Sequence, residues 1–447
     1  MKNRPIRFGG PRKQTKPTPI NQPIEIVSLS LDGRGIGRHQ GKTIFVRDAL
    51  PSETVKVDVE SSNKRFDETL ATEVIQPSPD RITPICQHYS MCGGCDLQHL
   101  DPKKAVDYKQ QELLRSLSKR AGLTPEVVDK PLIGSQFSAY RRSARIGINQ
   151  RETGEVLIGF RRRSSNKLAD INYCEVLLPS INAFIADLRS LLASAGRIKQ
   201  ITQALILAGD TGLQIDLRIT RSLSIELQQA LVKLAEQHQA NLTLSSKEFP
   251  TQILRSCIEA KKFTIDHDLK IEFSAGDFVQ VNAEVNRLMI DKVLEWFAPK
   301  SSDQVLDLFS GLGNFTLPLA RRTAKVVAIE VSEQMVERCL INAQANRLNN
   351  VEAFAADLSN PDPSADWLKS AYDLILLDPP RLGAAEVISA LSRQRPRAII
   401  YIACDPASLV RDAASLAASG YKISRMCVAD MFAQTHHIES LALFERV

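Results

Sequence analysis

Cys404 ends an apolar run, Ala398-Ile-Ile-Tyr-Ile-Ala, and is followed by Asp405-Pro-Ala. Free cysteines are among the most buried residue types, but the carboxyl end of a strand is where an α/β enzyme exposes a nucleophile. Two acids occupy equivalent places. Asp378 closes Tyr372-Asp-Leu-Ile-Leu-Leu and precedes Pro379-Pro380-Arg381, a loop stiffened by its prolines. Glu330 closes Val326-Val-Ala-Ile. It follows by roughly 20 residues the turn Ser310-Gly311-Leu-Gly313-Asn314, which itself follows the apolar run Val305-Leu-Asp307-Leu-Phe309. Such a turn lets a ligand approach the backbone closely, and an acid ending the next strand suits the two hydroxyls of an adenosine ribose. The third glycine of a dinucleotide loop is missing, since Thr316 stands there, and S-adenosylmethionine fits better than a dinucleotide.

A second constellation is Cys86-x5-Cys92-Gly-Gly-Cys95. The chain has eight cysteines and no apolar leader at its start, which favours a metal over a disulfide framework. Zinc usually takes pairs of closely spaced cysteines, whereas three close cysteines plus one remote partner suit a [4Fe-4S] cluster. Cys257, Cys339 and Cys427 belong to no motif and are expected to be packing residues.

The elements that must position these groups are short. Residues 21–78 alternate apolar and polar, as in Ile24-Glu-Ile-Val and Lys42-Thr-Ile-Phe-Val, around Asp32-Gly-Arg-Gly-Ile-Gly37, and predict a small antiparallel β-barrel. A helix is expected over Lys103–Ala121. A hairpin is expected between Tyr140–Arg145 and Gly159–Arg163, turning near Gln150–Gly154, with basic clusters that suit RNA phosphates.

Asp378-Pro-Pro-Arg381, Ala403-Cys404-Asp-Pro-Ala-Ser408 and Asp430-Met-Phe-Ala-Gln-Thr-His-His-Ile-Glu439-Ser lie in the order and spacing of the RNA uracil-5-methyltransferase family, which the last 180 or so residues resemble closely. Ser310, Ala403, Asp405 and Ala433 replace residues common in that family, and none of these changes removes a reacting group. The resemblance implies a class I, Rossmann-like methyltransferase domain in which Cys404 is the nucleophile that adds to C6 of uracil and Glu439 is the general base that removes the C5 proton. It implies S-adenosylmethionine contacts at Gln280, Phe309, Asn314, Glu330, Asp357 and Asp378. It also implies that Cys174, in Asn172-Tyr-Cys174, is the fourth ligand beside Cys86, Cys92 and Cys95. The barrel resembles the TRAM domain, an OB-like RNA-binding module, with Lys42, Lys56, Lys64 and Arg65 as candidates to meet phosphates.

The expected fold class is therefore α/β: a disordered basic arm over residues 1–20, a TRAM barrel over 21–80, a central α+β domain carrying the cysteines over 81–270, and the methyltransferase domain over 271–447. The formal net charge is +6; the first 20 residues hold six Lys or Arg and no acid, leaving 51 basic against 51 acidic residues in the remainder. No apolar run reaches membrane-spanning length, and a cytoplasmic monomer with no membrane partner is expected. Within the family, this combination of parts resembles the enzymes that act on a specific uracil of 23S ribosomal RNA. Another ribosomal site, transfer RNA, or a non-catalytic iron-sulfur RNA-binding protein are the alternatives.

Overall fold

The alternating N-terminal runs pair into a sheet that closes on itself. In this computed structural model, which describes residues 18–196, 198–257, 259–391 and 394–447, the strands follow the order Ile24–Glu25, Thr54–Ser62, Phe66–Gln76, Lys42–Arg47, Gly35–His39 and Ser28–Leu29. The first and last are consecutive pieces of one segment, so one segment pairs with both edges. Pairing is antiparallel except between Lys42–Arg47 and Phe66–Gln76. Ile24, Ile26, Ile44, Val46, Val55 and Val57 fill the interior. Gly37 is required where the chain crosses itself, because a Cβ there would lie 2.4 Å from Ile24 and 2.7 Å from the Glu25 carbonyl. Of the four expected phosphate ligands, Lys42 is engaged by Asp67 at 2.5 Å and Lys56 by Glu73 at 2.8 Å, while Lys64 and Arg65 are exposed. Residues 1–17 of the basic arm lie outside the described residues.

The chain divides into two compact units, one ending at Arg81 and the other spanning Ile82–Val447. Within the second unit, a seven-stranded sheet runs Leu168–Asp170, Val156–Arg161, Ser143–Gln150, Ile201–Gly209, Gly212–Ile219, Asn241–Ser245 and Gln252–Arg255. The helices Pro179–Ser194 and Ile225–Gln237 share one apolar core with it. The expected hairpin is present, with Gly147 opposite Gly159 and Gln150 opposite Val156.

The last sheet has eight strands in the order Val351–Ala355, Lys325–Glu330, Gln304–Leu308, Leu374–Leu377, Ala398–Ala403, Glu439–Arg446, Tyr421–Ala429 and Val127–Val128. The first five are parallel, and Glu439–Arg446 is antiparallel to both of its neighbours. The order reverses between Gln304–Leu308 and Leu374–Leu377, which opens a crevice at the carboxyl edge of the parallel strands. The helix Pro102–Ser116 is capped by Asp101, which accepts from the Lys103 and Lys104 amides. It does not belong with the seven-stranded sheet that follows it in the chain. Val106, Leu113 and Leu117 share a core with Leu306, Leu308 and Tyr401, and Val127–Val128 extends the last sheet. The stripe of the helix needed a broad apolar face, and the strand it meets, Tyr421–Ala429, lies some 300 residues downstream. Among the described residues, no helix is long and apolar enough to cross a membrane.

Candidate active site

One cavity of about 940 Å³ is lined by Gln280, Phe309, Asn314, Glu330, Asp357, Asp378, Cys404, Glu439, Cys86, Cys92, Cys95 and Cys174, so the expected catalytic, cofactor and metal residues all face it. Topology explains the thiol end. The strand Ala398–Ala403 is buried throughout and releases Cys404 at its carboxyl end. There Asp405 turns the chain into the helix Pro406–Ala418 by accepting from the Ala407 and Ser408 amides at 2.9 Å. The neighbouring parallel strand releases Asp378 at the same edge. Because Glu439–Arg446 runs the other way, it begins where those strands end; Ala403 pairs with Ser440, which sets Glu439 beside the thiol.

These groups shift one another. Burial pushes the Cys404 thiol up to about 12, and Glu439 and Asp378 push in the same direction, opposed by Arg381. Burial raises Asp378 to about 7, with Asp307 adding to it. Glu439, with its carboxyl enclosed, is held well above the carboxylate range by burial and then by Asp378, again opposed by Arg381. Burial and mutual repulsion thus disfavour having the thiol and both carboxyls ionised together in the resting site.

At the other end, Phe309 adopts a left-handed backbone with φ 65°, as do Gly311 at 55° and Gly313 at 98°. A Cβ on Gly313 would come within 3.1 Å of the Cys339 sulfur, whereas one on Gly311 would meet nothing within 4 Å. Glu330 is fixed by three backbone amides, of Gly311 at 3.2 Å, Val331 at 2.9 Å and Ser332 at 3.1 Å. Ser310 Oγ and Asp307 Oδ1 are buried without a partner; Ser310 faces the cavity, where a ligand seated on the turn can supply what its hydroxyl lacks. Asn314 exchanges both ends of its amide with Asn286, at 2.8 and 2.9 Å. Asp357 caps its own turn by accepting from the Ser359 amide and hydroxyl, which hold it below the usual range.

The four cysteines sit at a third side of the cavity. The Cys92 and Cys95 carbonyls accept from Arg163 at 3.3 and 2.8 Å, the Gly94 amide donates to the Cys92 sulfur at 3.3 Å, and the Cys174 amide donates to Asn182. Burial is the leading cause that raises all four thiols, Cys95 to about 12 and Cys174 to about 11. Each of those two is raised further by other cysteines of the group. Among the described residues, no three His, Cys, Asp or Glu gather tightly enough to hold one metal ion. Cys339 and Cys427 are buried packing residues, as expected, and Cys257 is partly exposed.

Sequence reasoning missed the groups that brace the segment Asp430–Ile438. Lys109 forms a buried ion pair with Asp430 at 3.2 Å and donates to the His437 carbonyl at 3.1 Å. Its signal was present: a lysine on the apolar stripe of a helix, four residues from Ala105 and from Leu113. Arg381 was quoted within a motif, without the electrostatic role described above.

The model of the family described as tRNA (uracil-5-)-methyltransferase matches residues 103–447, and that of the TRAM domain matches residues 21–67. The chain is 40% identical over 441 residues to a protein of Alcanivorax borkumensis named 23S rRNA (uracil(1939)-C(5))-methyltransferase RlmD, covering 98% of both. It is 41% identical over 432 residues to the protein of that name from Hahella chejuensis, covering 94% of this chain and 96% of the other. The solved Pyrococcus abyssi tRNA (uracil-54, C5)-methyltransferase, in complex with S-adenosyl-L-homocysteine, has the same fold, with a TM-score of 0.72 and 22% identity over 94% of this chain and 99% of that one. With its family model spanning residues 103–447 and relatives matching nearly its full length, this chain belongs to the tRNA (uracil-5-)-methyltransferase family and is a methyltransferase with an N-terminal TRAM domain.

Proposed function

We propose that the protein transfers a methyl group from S-adenosylmethionine to C5 of a uracil in 23S ribosomal RNA, with uracil 1939, the position named for its full-length relatives, as the target. The observation that carries this reading is the meeting of Cys404, Asp378 and Glu439 at one end of a cavity whose other end is the glycine turn with Glu330. S-adenosylmethionine supplies the electrophilic methyl carbon and a positive sulfonium charge. Uracil C5 is a weak nucleophile on its own. The Cys404 thiolate adds to C6, and the C5=C6 electron pair moves towards O4 as an enolate. C5 then takes the methyl carbon while the S–CH₃ pair stays on the departing sulfur. Glu439 removes the C5 proton; the C–H pair rebuilds the double bond and expels Cys404 as thiolate. Burial, the leading cause of the raised Cys404 thiol, favours its protonated form, so attack follows loss of that proton to solvent, with positive charge from Arg381 and from the sulfonium favouring the thiolate.

Gln280, Phe309, Asn314, Glu330, Asp357 and Asp378 are the proposed cofactor contacts. Glu330 takes the ribose hydroxyls, and the unpartnered Ser310 hydroxyl, which faces the cavity, supports a polar ligand on the turn. Cys86, Cys92, Cys95 and Cys174 are proposed to hold a [4Fe-4S] cluster. All four thiols line one cavity and are desolvated, and Cys92, Cys95 and Cys174 are each raised further by other cysteines of the group, which supports a cationic centre among them. The barrel over 21–80 and the central region over 81–270 are proposed to bind RNA and offset the few kcal/mol needed to extract the base. The methyltransferase domain is assigned to 271–447, and the enzyme is taken to act as a cytoplasmic monomer.

The test is methyl transfer from labelled S-adenosylmethionine to 23S ribosomal RNA and to transfer RNA, with wild type and Cys404→Ala, the product base being mapped by mass spectrometry. Label is expected as 5-methyluracil in the ribosomal RNA and absent with the variant. Label in transfer RNA alone overturns the substrate, and no transfer to either RNA from iron-loaded protein overturns the catalytic reading in favour of an RNA-binding iron-sulfur protein.

A further inference from the structure

The general base stands at the first residue of its strand, so the sheet fixes it from one side only: Glu439 pairs with Ala429, and Ser440 pairs with Ala403. On its other side lies the segment Asp430–Ile438, which has no strand partner of its own. What holds that segment comes largely from elsewhere in the chain. Tyr140 donates its hydroxyl to the Ala433 carbonyl at 2.8 Å, and Lys109 reaches Asp430 and the His437 carbonyl. The remaining grip comes from the cysteine loop. The Asp96 and Leu97 amides both donate to the Gln434 carbonyl, at 3.2 and 3.0 Å. The Asp96 carboxylate accepts from the His436 amide at 2.7 Å and also engages the His436 ring through its second oxygen.

We infer that Asp96 is a positioning residue for the catalytic segment: by clamping His436 through backbone and ring at once, it holds the chain three residues before Glu439 and so sets the reach of that carboxyl towards C5 of the bound uracil. This rests on the reading of Glu439 as general base. A bidentate carboxylate clamp restricts both the backbone and the side chain of His436, which is partly exposed. His436 stacks on His437 with ring centroids 4.1 Å apart, and His437 packs edge-on against Phe432 at 5.8 Å; His437 and Phe432 both line the cavity. A shift at His436 is therefore passed to the cavity wall as well as along the chain. Asp96 follows Cys95 directly, so the loop proposed to carry the metal centre and the segment carrying the base are joined by side-chain and backbone bonds within two residues.

The prediction separates steps. Misplacing a general base by about 1 Å slows the step it serves on the order of 10- to 100-fold and leaves binding in place. Asp96→Ala should lower kcat about tenfold or more, with KM for RNA within about twofold of wild type. It should also raise the fraction of enzyme trapped as a denaturant-stable covalent adduct with RNA, because addition and methyl transfer precede the step that is slowed. Asp96→Asn keeps an acceptor for the His436 amide and should recover most of the rate. His436→Ala should reproduce the defect, and the double variant should be no worse than either single one, since both break the same contact. Iron content and melting temperature are measured on each variant. A rise in KM with kcat unchanged, no rise in adduct for Asp96→Ala, or additive losses in the double variant overturns the inference. Glu439→Gln is the control: if it too fails to accumulate adduct, the reading of Glu439 fails, whereas adduct in Glu439→Gln without adduct in Asp96→Ala sinks the positioning role alone.

Discussion

Cys404 and Cys95 are the same chemical group in the same cavity, both raised to about 12 with burial as the leading cause, yet their surroundings differ in kind. Around Cys404 the additional charges are carboxyls, Glu439 and Asp378, which can give up or take protons, together with the opposing Arg381. Around Cys95 they are other thiols, Cys174, Cys92 and Cys86. On the proposed reading, one thiol among acids carries a transient negative charge that a substrate draws out and returns, whereas the four thiols are ionised by a resident metal centre. Desolvation alone thus says little about what a cysteine does; the proposal separates nucleophile from ligand by the titrating neighbours.

The largest effect expected from breaking this comparison is at Cys404. Cys404→Ala should lower methyl transfer by at least about 10⁴-fold, abolish the covalent RNA adduct, and leave iron content unchanged. A variant that still forms adduct would mean that another residue adds to C6, and the distinction between the two thiols would collapse.

Glu439→Gln comes next, with turnover about 10² to 10⁴ lower and adduct accumulating, because the base acts only after the thiol has added. Its pH behaviour follows from the sign of its shift. A base must be ionised, and the folded protein raises Glu439 well above 4.5; turnover should therefore climb with pH through that raised value and be low beneath it. An acid limb of the pH-rate profile close to 4.5 contradicts a buried, carboxyl-coupled base.

Cys95→Ser should act in the reverse sense from Cys404→Ala. Iron and its visible absorbance should be lost, the melting temperature should drop, and methyl transfer should fall on the order of tenfold through the Asp96–His436 clamp rather than through the reaction itself. Adduct should still form in the fraction that remains folded. Unchanged iron content in this variant removes Cys95 from the ligand set.

How far the chain could be read in advance follows the same division. Cys404, Asp378 and Glu330 were legible because each ends an apolar run, and strand ends at one sheet edge converge whatever the loops between them do. Cys86, Cys92 and Cys95 stood out through spacing, whereas Cys174, which lines the same cavity, was named only through the family resemblance. The braces were not legible: Lys109 and Asp430 are 321 residues apart, and Asp96 and His436 are 340 apart. No local pattern encodes such pairs, since they exist only once the helix Pro102–Ser116 has found the last sheet. That placement was itself hidden, because an amphipathic stripe declares that a helix needs an apolar face without declaring which. In the barrel, Lys42 and Lys56 read as free cations until the strand register set Asp67 and Glu73 against them.

The smallest expected effect tests the physical cause on which the comparison depends. Asp307 is a carboxyl raised to about 7 chiefly by burial, with a hydroxyl contact from Thr316 at 2.5 Å pulling the other way and Glu330 pushing it up. It is neutral when folded at mildly acid pH, whereas the unfolded chain releases the same proton near 3.8. The folded state therefore binds the proton more tightly, and the stability this confers is fully present below about 3.8 and lost as pH rises through about 7. Asp307→Asn has no proton to lose and can keep the contact with Thr316. Relative to wild type it should gain stability between about pH 4 and pH 7, by at most about 1.4 kcal/mol per pH unit, and melting temperatures of the two proteins without ligand should diverge over that window and run parallel outside it. If the gap does not change with pH, Asp307 is not held neutral by burial. The same desolvation would then be a poor account of the raised thiols, and the contrast between Cys404 and Cys95 would have to rest on their neighbours alone.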